Sequence, residues 1–143
     1  DMVGPYGYCA DISRTYVCGN IFNTNQKKLY SMAVEQINHN SRLIKRGMTF
    51  KEFQKKSWVL PKEYYGNRYS VMVHGIGLCD EWPAIRYPSD GGEQSGIFEK
   101  NMTITVESYI GKVGGKEGVK LEQQYIVGEN NLELMSHHPL EDI

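Results

Sequence analysis

Asp1, Asp11, His74, Glu107 and Glu122 are four carboxylates and one imidazole whose residue types could share a single piece of chemistry. Bare carboxylates brought together repel and raise one another's pKa values, and a di- or trivalent cation removes that conflict. Oxygen-rich ligation with one imidazole and no thiolate suits iron, manganese, cobalt or zinc in an open geometry. The histidine lies in the most crowded stretch of the chain, His74-Gly75-Ile76-Gly77-Leu78-Cys79-Asp80-Glu81-Trp82-Pro83. Two carboxylates and a tryptophan follow it within nine residues, and Gly75 and Gly77 allow the backbone to turn back closely beneath it. Taken alone, the stretch also reads as a core histidine beside an ordinary turn. The four carboxylates elsewhere favour a site.

The elements that must position these groups are legible in outline. Tyr69-Ser70-Val71-Met72-Val73 alternates like a strand, with Val71 and Val73 on one face and His74 at its end. Asp1-Met2-Val3 and Tyr8 to Cys18 read as two arms joined through Gly4-Pro5-Tyr6-Gly7. In the second arm Ile12, Tyr16 and Cys18 share one face, while Asp11, Ser13 and Thr15 share the other. Asn101 to Ile110 and Val119 to Val127 repeat the device around a Gly-rich turn, with Glu107 on one arm and Glu122 on the other. Between these hairpins, Leu29, Met32, Ala33, Ile37 and Leu43-Ile44 form an apolar stripe that predicts a helix from about Asn23 to Arg46. Thr49-x-x-Glu52 matches a capping box, opening a second helix through Phe50, Phe53 and Trp58 to the stop at Pro61. Residues Pro83 to Gly96, rich in Pro, Gly, Asp and Ser, read as a long loop that could act as a lid. The pattern is α+β, with antiparallel hairpins and helices covering one face.

Composition narrows the partners. The 143 residues are 40% hydrophobic and 23% charged with a formal charge of −1, enough for one domain and one core. Neither nucleic acid nor a membrane is expected as a partner from that balance. Cys9, Cys18 and Cys79 are odd in number and form no Cys-x-x-Cys pair, as in a cytoplasmic protein with reduced thiols. Packing is the expected role of Cys79, ahead of nucleophilic chemistry. His137 and His138 lie in a polar tail, Met135 to Ile143, and read as surface residues. The chain opens at Asp1 without an initiator methionine and is expected to be part of a longer protein.

Asp-Ile-Ser-Arg-Thr at 11–15, His-Gly-Ile-Gly at 74–77, Thr-Val-Glu at 105–107 and Val-Lys-Leu-Glu at 119–122 resemble the pita-bread metallohydrolase superfamily. That superfamily includes methionine aminopeptidases, Xaa-Pro peptidases and the metal-free creatinases. The resemblance implies that Asp11, His74, Glu107 and Glu122 are metal ligands, and that residues 1–143 form most of a pita-bread catalytic domain lacking its start. The departures bear on activity. The peptidases place their first ligand aspartate eleven residues before the second, whereas Asp1 is ten before Asp11. They also carry a histidine seven residues after the ligand histidine, to handle the scissile amide; here that position is Glu81, preceded by Asp80.

These departures resemble one branch, the metal-dependent dimethylsulfoniopropionate lyases of the DddP type. In that branch the shifted aspartate is a ligand, which carries Asp1 into the set; Asp80 corresponds to the catalytic base and Tyr69 to a substrate-pocket aromatic. The implied reaction is base-promoted β-elimination giving dimethyl sulfide and acrylate, with iron as the first choice of metal. Leu78 and Trp82 are expected to shield Asp80 and raise its pKa. Tyr69 and Trp82 offer aromatic faces to a sulfonium cation, packing being the plainer role for each. The resemblance further implies a small zwitterionic substrate and a homodimer. The alternatives are an Xaa-Pro-type metallopeptidase and an inactive binding module of the same fold.

Overall fold

A computed structural model describes residues 1–19, 21–78, 80–90 and 95–140. Cys79, with the packing role expected of it, lies outside the described residues, as do 91–94 of the expected lid and the last three residues of the polar tail.

The described residues hold an antiparallel sheet of five strands, in the order β4-β3-β5-β6-β7. Its centre is the hairpin of β5 (Thr103–Gly111) and β6 (Gly118–Val127), joined by the predicted Gly-rich turn. The register sets Glu107 directly opposite Glu122 and Ser108 opposite Leu121. Alternation then sorts the two faces. Ile104, Val106 and Ile110 of β5, with Val119, Leu121 and Val127 of β6, enter the hydrophobic core. Glu107, Lys120 and Glu122 fall on the opposite face. β3 (Val71–Gly75) pairs with β5 so that His74 stands opposite Thr105, which puts the imidazole on the glutamates' face. All five residues of β3 are buried, and His74 lies inside the strand, one residue before its end.

The core face is covered by α1 (Thr24–Leu43), which lies across β5 and β6. Its N-terminus carries a complete capping box: the Asn23 side chain accepts from Gln26 N–H, and the Gln26 side chain accepts from Asn23 N–H. Leu29, Ala33 and Ile37 supply the buried stripe. α2 (Phe50–Lys56) starts at the expected Thr49 cap, but Glu52 does not complete a capping box and pairs with Lys56 instead. α2 stops at Lys56, short of Trp58, because Ser57 takes an extended conformation and returns its N–H to Phe53 O. A further short helix, α3 (Lys62–Tyr65), follows Pro61.

Two further strands were not expected, one inside the expected loop and one between the expected return strand and the polar tail. β4 (Ala84–Arg86) pairs with β3 inside the Pro-rich stretch after the histidine motif, and β7 (Leu132–Leu134) pairs with the end of β6. The N-terminal hairpin is present but short: β1 (Met2–Val3) pairs with β2 (Cys9–Ala10). The expected long arm from Tyr8 to Cys18 is not a continuous strand. Beyond Ala10 the chain lies along the first half of β6, joined through a backbone bridge between Ser13 and Glu122. The Thr15 hydroxyl adds a pair of bonds, accepting from Lys120 N–H and donating to Lys120 O. Alternation still holds, with Asp11 buried and Ile12 and Tyr16 exposed.

Candidate metal centre

Four segments bring their polar side chains to one point on the sheet. His74 is 1% exposed, Glu107 and Glu122 each 2% and Asp11 6%, a degree of burial that isolated charges do not sustain. His74 Nε2 lies 3.2 Å from Glu122 Oε1, and 3.7 Å from both Asp11 Oδ2 and Glu107 Oε1. Donors ~2.1 Å from one ion stand roughly 3–3.5 Å apart; the Glu122 separation falls in that range and the other two lie just outside it, close enough to share a cation. Ligand atoms of Asp11, His74 and Glu122 all fall within 4.8 Å of one another.

The tautomer of His74 is set by its backbone. Nδ1 is 3.0 Å from Gly75 O, a carbonyl that can only accept, so Nδ1 carries the proton and Nε2 faces the carboxylates. Glu107 Oε1 is buried and has no hydrogen-bond partner among the described residues. A buried acceptor left in that state and aimed at His74 fits a cation ligand.

The electrostatics report the same crowding. Burial pushes Glu107 up to about 7, with the Glu122 charge adding to the rise and Lys120 opposing it. Burial and the Glu122 charge raise Asp11. Burial would also raise Glu122, but the His74 hydrogen bond and the Lys120 charge outweigh it and hold the group low. For His74 burial favours the neutral ring, yet the Glu122 and Gly75 hydrogen bonds and the two glutamate charges lift it to about 9. The arrangement holds excess negative charge that a metal would neutralise.

The remaining expected residues stand at the rim. Asp1 sits beside Asp11 across the hairpin, its backbone nitrogen 3.8 Å from Asp11 Oδ1, but its side chain is exposed. Tyr69 is 39% exposed and donates its hydroxyl to Glu81 Oε1 at 2.7 Å, which raises its pKa. Glu81 takes a left-handed backbone conformation, φ 51°, uncommon for a residue with a side chain. Asp80 is exposed. Leu78 and Trp82 are 71% and 65% exposed, so neither shields Asp80 as expected from its apolar neighbours. Among the described residues Trp82 is thus little packed.

Gly75 explains how this segment folds back. Its N–H donates to Pro83 O at 2.9 Å, and a Cβ there would lie 2.0 Å from Trp82 O. No side chain fits.

Residues 1–129 match the Metallopeptidase family M24. The chain belongs to metallopeptidase family M24. Among M24-like relatives, the dimethylsulfoniopropionate lyase DddP of Roseovarius nubinhibens is 34% identical over 145 residues, covering 99% of this chain and 32% of the relative. The lyase DddP of Roseobacter denitrificans matches with the same identity and coverage. Thus the chain spans about a third of the length of the curated relatives it matches. Among solved structures, the Xaa-Pro dipeptidase from Bacillus anthracis aligns with a TM-score of 0.77 and 29% identity, over 94% of this chain and 37% of that one. The prolidase from Pyrococcus furiosus also aligns at 0.77, with 28% identity over 92% of this chain and 38% of that one. The pita-bread α+β fold expected from the motifs is therefore the fold of this M24 chain.

Three polar contacts at the M24 centre went unread in the sequence. The Ser13 hydroxyl donates to Glu122 Oε2 at 3.1 Å, Lys120 pairs with both glutamates, and Glu81 accepts from Tyr69. Two-residue alternation carried a signal for the first two: Ser13 follows Asp11 by two positions, and Lys120 precedes Glu122 by two. Glu81 was marked by its place seven residues after His74, but its bond to Tyr69 had no such signal, because that contact depends on the fold of the preceding turn. No helix among the described residues is long and apolar enough to cross a membrane.

Proposed function

We propose that this chain supplies the metal-binding part of a carbon–sulfur lyase that cleaves dimethylsulfoniopropionate to dimethyl sulfide and acrylate. The observation that carries the proposal is the pair Asp80-Glu81: the position seven after His74 holds a glutamate engaged by Tyr69, where the peptidases it resembles carry an amide-handling histidine. The 34% identity to two such lyases over 99% of the chain supports the same reading.

In this proposal residues 1–143 are most of the catalytic domain, and Asp11, His74, Glu107 and Glu122 hold the cation, with Asp1 as a fifth ligand from the rim. Iron is the first choice, and manganese, cobalt and zinc suit the same donors. The chemistry a bound cation supplies there is Lewis acidity toward a substrate carboxylate. Asp80 removes the proton from the carbon next to that carboxylate. The electron pair of that C–H bond becomes the new C=C bond, the C–S bond breaks, and its electrons leave on neutral dimethyl sulfide. An exposed Asp80 lies within reach of solvent, to which the abstracted proton can pass. Trp82 presents an aromatic face to the sulfonium. Tyr69 is the less available of the two aromatics, since Lys120 Nζ already stands 4.7 Å from its ring centroid. The resemblance to the lyase branch extends the proposal to a homodimer, and the odd, widely separated cysteines extend it to a cytoplasmic protein.

Hydrolysis of Xaa-Pro peptide bonds is the second reading, favoured by the 0.77 TM-scores against an Xaa-Pro dipeptidase and a prolidase. The test is headspace detection of dimethyl sulfide from the full-length parent protein, supplied with ferrous iron and dimethylsulfoniopropionate. Asp80→Ala is expected to lower release by about 10²–10⁴-fold while metal content holds. A folded, metal-loaded protein that releases no sulfide but hydrolyses Xaa-Pro dipeptides would replace the lyase reading with the peptidase one.

A further inference from the structure

Glu107 and Glu122 do not use their two oxygens alike. The Oε1 atoms face His74 Nε2, at 3.7 and 3.2 Å. The Oε2 atoms turn the other way, to Lys120: its ammonium contacts Glu107 Oε2 and stands 3.4 Å from Glu122 Oε2. Ser13 Oγ is a second donor to Glu122 Oε2.

Lys120 is itself firmly placed. It precedes Glu122 by two positions on the same face of β6, and the Thr15 hydroxyl bonds both its N–H and its carbonyl. The ammonium stands over the face of Tyr69, the residue whose hydroxyl holds Glu81. One lysine therefore touches both glutamates of the centre and the aromatic that anchors the Asp80-Glu81 turn. A lysine on a solvated strand face has no need of three such neighbours, and this side chain is 32% exposed.

We propose that Lys120 is a positioning residue of the cation site. By holding Oε2 of both glutamates it presents a single oxygen of each, Oε1, to the cation. It also offsets one of the negative charges that Asp11, Glu107 and Glu122 bring together, so the site attracts a cation less strongly than three carboxylates alone would. The ammonium trades affinity for a fixed ligand geometry. This inference rests on the metal-site reading above and is independent of which reaction the site performs.

Removing the charge while keeping the length of the stem separates this role from plain packing. In the full-length protein, stripped with chelator and titrated with Mn²⁺, Lys120→Met is expected to bind the ion at least about tenfold more tightly than the parent, because a like charge near the cation has gone. Lys120→Arg keeps the charge and is expected to stay within about threefold of the parent. With Co²⁺ in place of Mn²⁺, the visible absorption bands should shift in Lys120→Met, as glutamate oxygens freed from the ammonium change the coordination, and return in Lys120→Arg. Lys120→Gln serves as a second neutral variant. Mn²⁺ affinity in the neutral variants equal to or below that of the parent would overturn the proposal. So would neutral variants that fail to fold while Lys120→Arg folds, since the pair would then be a structural prop. A parent protein that binds no Mn²⁺ overturns this inference together with the metal site. Normal Mn²⁺ behaviour without dimethyl sulfide release would remove the lyase reading and leave Lys120 in its role.

Discussion

His74 Nε2 stands 3.2 Å from Glu122 Oε1, the shortest of its three carboxylate approaches, while its Nδ1 proton is committed to Gly75 O. The ring is thus locked by its own backbone in the tautomer that offers Nε2 to a cation. Its protonated form is stabilised at Nε2 by the carboxylates a cation would claim, in addition to the Gly75 bond.

That competition gives the chelated protein a pH dependence of definite sign. Glu107 is raised from 4.5 to about 7 and His74 from 6.5 to about 9, while Asp11 is raised as well. A raised group adds stability that is fully present below its unfolded pKa and is lost as pH rises through its folded pKa. Glu122 is lowered, so its contribution is instead lost in acid, below that window. Thermal melts in chelator should therefore show the melting temperature falling from about pH 5 to about pH 9. Saturating Mn²⁺ should flatten or reverse the trend, because ligation displaces the same protons. A melting temperature that rises with pH in chelator would contradict the account.

Gly75→Ala tests the fold of the segment after the histidine. Its methyl would sit 2.0 Å from Trp82 O, a backbone atom that can move only with the whole turn. Overpacking of this kind costs about 1–3 kcal/mol, and a backbone clash belongs at or above the upper end. The expected outcome is a lower denaturation midpoint and loss of the Tyr69–Glu81 bond, which ultraviolet titration of the tyrosine would register. A variant of parental stability would mean that the turn is not held as described.

Behind Glu107, on the core side of the sheet, Ser108 Oγ donates to Gln36 Oε1 and Gln36 Nε2 donates to Tyr87 Oη, both at 2.6 Å. Ser108→Ala leaves a buried amide oxygen without its donor and should cost about 1–3 kcal/mol by chemical denaturation. Replacing the whole relay, as Ser108→Ala with Gln36→Leu and Tyr87→Phe, should cost less than the sum of the single changes, because no polar atom is then stranded. Strict additivity would show that the three do not act as a network.

Much of the centre was legible because a strand alternates. Glu107 and Glu122 were placed on facing arms of one hairpin, and they are direct cross-strand partners. Asp11 was assigned to the polar side of its arm, and that side is the one that turns inward. Lys120 obeys the same alternation but was passed over, since a lone lysine on a strand ordinarily means solvent. The short strands failed for lack of length: three residues of β4 between Pro83 and Pro88, and three of β7, carry too little periodicity to separate from loop. The arm after Ala10 misled in another way. It is not a continuous strand, and where it bridges at Ser13 its partner is β6, more than a hundred positions away, and not the neighbouring β1.

That distant pairing has a kinetic consequence. The β5–β6 hairpin closes a short loop and can form early, bringing the two glutamates together before the rest of the chain is organised. Asp11 reaches Glu122 only when a segment 109 residues away docks along β6 through Ser13. Closing so large a loop is entropically costly and slow relative to the hairpin. The full donor set is thus a product of late assembly, and capture of a metal ion would report that two distant segments have met.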